Sequence, residues 1–175
     1  MTALVVYESM FGSTRAVAEA IAEGLAPVGP VRVVEVGVLA STPAGRTITT
    51  EVDLLVVGAP THAFGLSRPN TRQDAASDAT DGTISFEVGL REYLDAVKMP
   101  LGGVRFAAFD TKVIKPKLPG SAAKAADKQL RQKGARAIAE PRNFWVQGRN
   151  EGLVLGELEA ARAWGEGLVA LLLKR

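Results

Sequence analysis

Ser9, Ser13 and Thr14 place three hydroxyls around Gly12, between an apolar run, Leu4-Val5-Val6-Tyr7, and a segment in which Val17, Ile21 and Leu25 recur at helical spacing. Residues of these types in this arrangement can bind an anion. The β-branched apolar run reads as a buried strand and the 3.6-residue period as a helix, so the residues between them form a strand-to-helix turn. Backbone N–H groups at a helix start lack intrahelical partners, and the helix dipole favours negative charge above them. Hydroxyl donors, and the close backbone approach that glycine permits, complete a cradle for a phosphate. The plainer reading of the same residues is a capped helix start, where Ser and Thr are common.

Two phosphate loops are excluded by pattern. A nucleoside-triphosphate loop ends in Gly-Lys-Ser/Thr and a dinucleotide fingerprint carries three spaced glycines; the turn has neither. Ser9-Met10-Phe11-Gly12-Ser13-Thr14 instead resembles the FMN phosphate loop of flavodoxins, a Thr/Ser-x-Thr-Gly-x-Thr pattern directly after the first strand. Ser9, Gly12 and Thr14 fit it, while Phe11 stands where the family usually has a threonine hydroxyl. The resemblance implies FMN as cofactor and assigns two more loops to it. Pro60-Thr61-His62-Ala63-Phe64-Gly65 resembles the first flavin-flanking loop, with His62 or Phe64 covering one ring face; the bland alternative for His62 is a loop histidine bonded to backbone or water. Phe109-Asp110-Thr111-Lys112 takes the position of the second flanking loop, without the tyrosine that many flavodoxins stack there. Phe109 continues a strand run and reads as core, which leaves Asp110, Thr111 and Lys112 to hydrogen-bond the ring edge. Residues 118–124 and 156–162 also resemble a prokaryotic branch of flavodoxin-like proteins, so the likeness spans nearly the whole chain.

The elements that must position these residues alternate along the sequence. Val31 to Val36 reads as an outer strand, and 37–51, rich in Ser, Thr, Gly and Pro, as a loop or a poorly formed crossover helix. Asp53 to Pro60 is nearly continuous in apolar residues and belongs in the centre of a parallel sheet. Residues 61–88 are polar and irregular apart from a short helix over 70–76, and connections of that length are usually functional or mobile. Leu90, Tyr93, Leu94 and Val97 mark a helix face. Val104 to Asp110 is a fourth strand, 111–120 a Lys/Pro loop, and Ser121 caps a helix that stops at Gly134. Ala135 to Ala139 and Phe144 to Val146 read as one edge strand interrupted at Pro141. The last helix starts near Glu157 with Ala161, Trp164, Leu168, Leu171 and Leu172 as its face. Five strands alternating with helices predict a three-layer, doubly wound α/β fold in one domain, 1–175, with a parallel sheet; the resemblance implies the strand order 2-1-3-4-5.

Composition removes other chemistries. Among 175 residues there is no cysteine and one histidine, which excludes disulfides, thiolate catalysis and the usual zinc sets. No apolar run approaches the roughly 20 residues of a membrane span, and the first residues enter a strand without a signal-peptide pattern, so a cytoplasmic location and no membrane partner are expected. The 21 Lys+Arg against 19 Asp+Glu form no basic block with interleaved aromatics, so nucleic acid is not expected. A Gly-x-Ser-x-Gly elbow is missing, and Tyr7-Glu8-Ser9 lacks the clustered aspartates of a phosphoacceptor domain. Arg15, Arg68, Arg72, Lys112, Lys115 and Lys117 fall in or beside the rim loops, which predicts a basic mouth, a hydroquinone couple less negative than in acidic flavodoxins, and acidic redox partner proteins. An electron carrier is thus expected. The alternatives are a flavin-dependent NAD(P)H:quinone oxidoreductase, with residues 66–88 making room over the ring, and a binding domain that has lost FMN.

Overall fold

The computed structural model describes residues 1–79 and 82–174. Ala3–Tyr7 forms β1, buried along its whole length. Its alternation explains why: Leu4 and Val6 enter one core while Ala3, Val5 and Tyr7 enter the other. The strand therefore needs apolar residues on both faces. Val31–Glu35 (β2), Leu54–Pro60 (β3) and Arg105–Val113 (β4) add to it in parallel. Arg136–Ala137 (β5) and Arg142–Val146 (β6) both pair with β4, β5 near its start and β6 near its end. The sheet order is β2-β1-β3-β4-β5, as expected, with β6 beside β4. The expected fifth strand is thus two short strands on one neighbour, split around Pro141, which has no N–H to donate to a ladder.

The helices Ser13–Leu25 (α1) and Glu157–Leu173 (α6) cover one face; Leu90–Ala96 (α4) and Ala122–Gln132 (α5) cover the other. The 37–51 region keeps only a one-turn helix, Val36–Ala40 (α2). Phe109, Phe144 and Trp164 form an edge-to-face trio with centroids 6.0–6.4 Å apart beneath α6. Leu171, expected on the buried face of α6, is exposed, and Gly165 is buried instead. The reason is the crossing with α1. A Cβ on Gly165 would overlap the Ile21 carbonyl, and one on Gly24 the Arg162 carbonyl. Glycine here costs helix propensity and allows the two backbones to touch.

Pro69–Ser77 (α3) lies in the long connection between β3 and α4; residues 80–81 of that connection lie outside the described residues. One buried side chain anchors it at four points. Arg72, 1% exposed, donates to Phe86 O at 2.9 Å, Ser67 Oγ at 2.8 Å, Glu87 O at 3.4 Å and Glu92 Oε1 at 3.2 Å. Close by, the Glu8 carboxylate accepts from Leu90 N at the start of α4, at 2.6 Å, and burial pushes this carboxyl above the usual carboxylate range. An irregular segment of this length is therefore fixed to the end of β1 by buried polar contacts.

Candidate functional site

The carboxyl ends of β1, β3, β4 and β6 open onto one cleft of about 390 Å³, within the range of roughly 300–1,000 Å³ typical of small-molecule sites. Ser9, Met10, Phe11, Ser13 and Thr14 line one end; Pro60, Thr61, His62 and Ala63 come from β3 and its loop; Thr111 comes from β4. Thr71, Asp74 and Ala75 of α3 form a wall, completed by Val113, Leu118, Val146 and Arg149.

The turn before α1 is built from its own side chains. Ser9, fully buried, does not offer its hydroxyl outward: Ser9 Oγ accepts from Gly12 N at 3.1 Å and Arg15 N at 3.3 Å. These bonds curl the loop around Gly12, which sits at φ 98°, a left-handed conformation that glycine adopts without steric cost. The loop is braced from 84–85, where Ile84 N donates to Met10 O at 3.1 Å, and Ser85 N to Ser9 O at 2.8 Å. Helix geometry leaves the Ser13 and Thr14 amides without intrahelical acceptors, and neither meets another acceptor among the described residues. Thr14 Oγ1 and Thr111 Oγ1 share a hydrogen bond of 2.7 Å across the cleft floor. The result is a helix N-terminus with free donors at a cleft end, the chemistry of a phosphate or carboxylate site.

His62 lines the middle of the cleft. Burial, reinforced by the Arg149 guanidinium, lowers its pKa to about 4, so the imidazole is neutral at pH 7. The sign for stability follows. An unfolded histidine takes up a proton near pH 6.5 and the folded one does not, so His62 costs stability as pH falls from about 6.5 to about 4. Allowing for solvent at the mouth, the loss is on the order of 1–2 kcal/mol. Because the chain holds a single histidine, the proton NMR signal of its ring reports this directly, with an expected midpoint near 4. A midpoint at 6–7 would place the ring in open solvent.

Several expected residues stand elsewhere. The fourth strand, expected to end at Asp110, runs to Val113, so Thr111 and Lys112 also belong to β4 and not to a loop after it. Strand alternation then sends Thr111 to the cleft and its neighbours to the α5 side. Asp110 accepts from Thr61 Oγ1, Ser121 Oγ, Ala123 N and Asn143 Nδ2 at 2.6–3.0 Å, which ties three elements together. Lys112 Nζ donates to Gly120 O at 2.6 Å, and Phe109 is core. Gly12 and Gly65 shape their loops without lining the cleft, and Phe64 also lies outside the lining. The basic mouth is smaller than expected. Arg15 pairs with Glu19 at 2.8 Å and Arg72 is consumed in the core, while Arg68, Lys115 and Lys117 remain exposed.

Arg149 was not foreseen. It follows β6, which the sequence marks only as an edge strand, and it ion-pairs with Asp78 just beyond α3. Nothing in the spacing of α3 foretold that Thr71, Asp74 and Ala75 would wall the cleft either, because its apolar periodicity is weak. Among the described residues no group of His, Asp and Glu is arranged to hold a metal, and no helix is long and apolar enough to cross a membrane.

Comparison with known proteins agrees with this geometry. A family model described as Flavodoxin matches residues 5–165. Among curated proteins none matches the sequence. Oxidised flavodoxin 1 from Bacillus cereus superposes with a TM-score of 0.66 at 18% identity, covering 100% of this chain and 99% of its own. A flavodoxin from the domain Archaea gives 0.64 at 19% identity over 98% and 99% of the two chains. The Flv1 flavodiiron core from Synechocystis sp. PCC6803 gives 0.62 at 15% identity, over 98% of this chain and 36% of that one. Identities this low speak to the fold alone.

Proposed function

Because the chain belongs to the flavodoxin family, we propose that the cleft binds FMN and that the protein carries electrons between partner proteins. The observation that carries this reading is the pair of free amides on Ser13 and Thr14, at the start of a helix and at one end of a cleft of suitable volume. The residues fit the group. The amides and the Ser13 hydroxyl would hold the phosphate, with Gly12 letting it approach; His62 and Ala63 on one side and Thr111 and Val113 on the other would flank the ring. Bound FMN supplies one-electron redox chemistry. The chain's own residues bind, orient and exclude water. Neutral His62 presents a polar, uncharged edge, while the charge of Arg149 is balanced by its ion pair with Asp78. The exposed Arg68, Lys115 and Lys117 near the mouth are what keep the expectation of a less negative hydroquinone couple, which potentiometric titration measures; a very low lower potential would count against it.

A reductase reading loses its main motive. The 66–88 segment, expected to make room for a second substrate, supplies a wall through Thr71, Asp74 and Ala75. Turnover of NAD(P)H with a quinone would restore it.

The deciding experiment is titration of the protein with FMN, read by flavin fluorescence. Saturable binding at micromolar FMN or below is expected, and none at high micromolar would leave a cofactor-free binding domain. Phe11 sharpens the test. It lines the cleft where a hydroxyl is usual in the family, so Phe11→Thr adds one charge-assisted donor to the phosphate and should tighten FMN about tenfold, from roughly 1.5 kcal/mol. Unchanged affinity would mean that position 11 does not reach the phosphate.

A further inference from the structure

We propose that Phe64 is the anchor of a docking surface, formed where residues 61–68 and 114–120 meet at the cleft mouth, for an acidic redox protein with an apolar recess. The inference rests on the FMN-carrier reading and adds the partner's chemistry and its place of contact. It begins with backbone strain. Ala63 and Phe64 both have positive φ, 41° and 74°, and His62 and Gly65 exchange backbone hydrogen bonds of 2.8 and 2.9 Å around them. Two left-handed residues inside such a pair are the signature of a type I′ turn, which strongly prefers Asn-Gly. Here it holds an alanine and a phenylalanine. Phe64 is also 59% exposed, so neither packing nor cleft lining explains an aromatic ring at a strained turn.

Its neighbours have the same character. The loops touch, since a Cβ on Gly120 would overlap the Phe64 carbonyl, and Leu118, also on that loop, is 50% exposed. The charged residues of 61–68 and 114–120 are Arg68, Lys115 and Lys117, with no carboxylate among them. Across the cleft, by contrast, the α3 side carries Asp74, and Asp78 paired with Arg149. An exposed aromatic and a leucine with lysines around them have the anatomy of a transient interface: an apolar centre that anchors and a charged rim that steers. The sign of the rim selects an acidic partner, and its one-sidedness orients that partner at the cleft mouth.

The test uses a reduced acidic plant-type ferredoxin as probe and the FMN-loaded protein as acceptor, in stopped flow. One electron leaves the probe's cluster and enters the bound flavin. Phe64→Gly is expected to slow this second-order reaction at least tenfold while leaving FMN affinity within about twofold. It should also raise Tm by about 2–4 °C, because glycine relieves the turn. Lys115→Glu with Lys117→Glu should convert a rate that falls with salt into one that rises. Three results would overturn the proposal: an unchanged rate in Phe64→Gly, weakened FMN binding in that variant, which would make the ring a flavin cover, or NADPH binding lost in the lysine double variant, which would make the patch a nucleotide subsite. Amide chemical shifts of the cofactor-free protein titrated with the same ferredoxin separate the two readings. Shifts confined to 61–68 and 114–120 would support the surface even if FMN failed to bind, and shifts on the α3 side would sink it.

Discussion

Arg72→Leu should destabilise the protein by about 3–5 kcal/mol and abolish FMN binding, as measured by urea unfolding and flavin fluorescence. The side chain is buried and donates to two carbonyls, a serine hydroxyl and a carboxylate. Leucine fills much of the volume but leaves all four acceptors unpaired, and removing one partner of a buried charged network typically costs about 3–5 kcal/mol. The loss spreads to the cleft because Arg72 belongs to α3, whose Thr71, Asp74 and Ala75 form its wall. Glu8 adds to the effect. Its carboxyl, already raised by burial, loses a favourable positive neighbour. Arg72→Lys keeps the charge without the planar fork and should fall in between. A loss below about 1 kcal/mol would show that the connection is held by other contacts.

Ser13→Asp is expected to move stability and binding in opposite directions. A carboxylate in the first turn of α1 meets the positive end of the helix and should stabilise the cofactor-free protein by about 0.3–1 kcal/mol. The same carboxylate occupies the place where the phosphate would sit. Two like charges about 4 Å apart at an effective dielectric near 20 repel by about 4 kcal/mol before screening. FMN affinity should therefore fall at least about 100-fold, with Ser13→Ala losing only a few-fold. Equal binding by wild type and Ser13→Asp would put the phosphate elsewhere.

The fold was legible because its strands carry apolar residues on both faces and its helices carry period. The Leu54–Pro60 strand and the Ser121 cap of α5 needed no tertiary information; Ser121 Oγ does accept from Lys124 N, at 3.2 Å. The site was legible only in part. The turn at 9–14 is local, so its residues announced the cradle, although Ser9 turned out to bond its own loop. Arg149 and α3 reach the cleft through the arrangement of β6 and through Arg72, both long-range features that no spacing rule encodes. Asp110 was legible as the end of a strand but not in its partners: alternation sends it to the α5 side, where Ser121, Ala123 and Asn143, distant in sequence, converge on it.

The contact of Gly24 with Gly165 also has a consequence for biosynthesis. Helix α1 lines one end of the cleft with its first turn, yet it is seated against α6, and Glu23 pairs with Arg162, 139 residues away in the chain. At roughly 5–20 residues per second, the ribosome makes α1 on the order of ten seconds before its partner. Until then Val17, Ile21 and Leu25 have only the early strands to pack on, and the side of α1 that receives α6 stays open. The nascent chain thus keeps the α6-facing side of this helix open until α6 leaves the exit tunnel, and that interval is when a chaperone is most needed there.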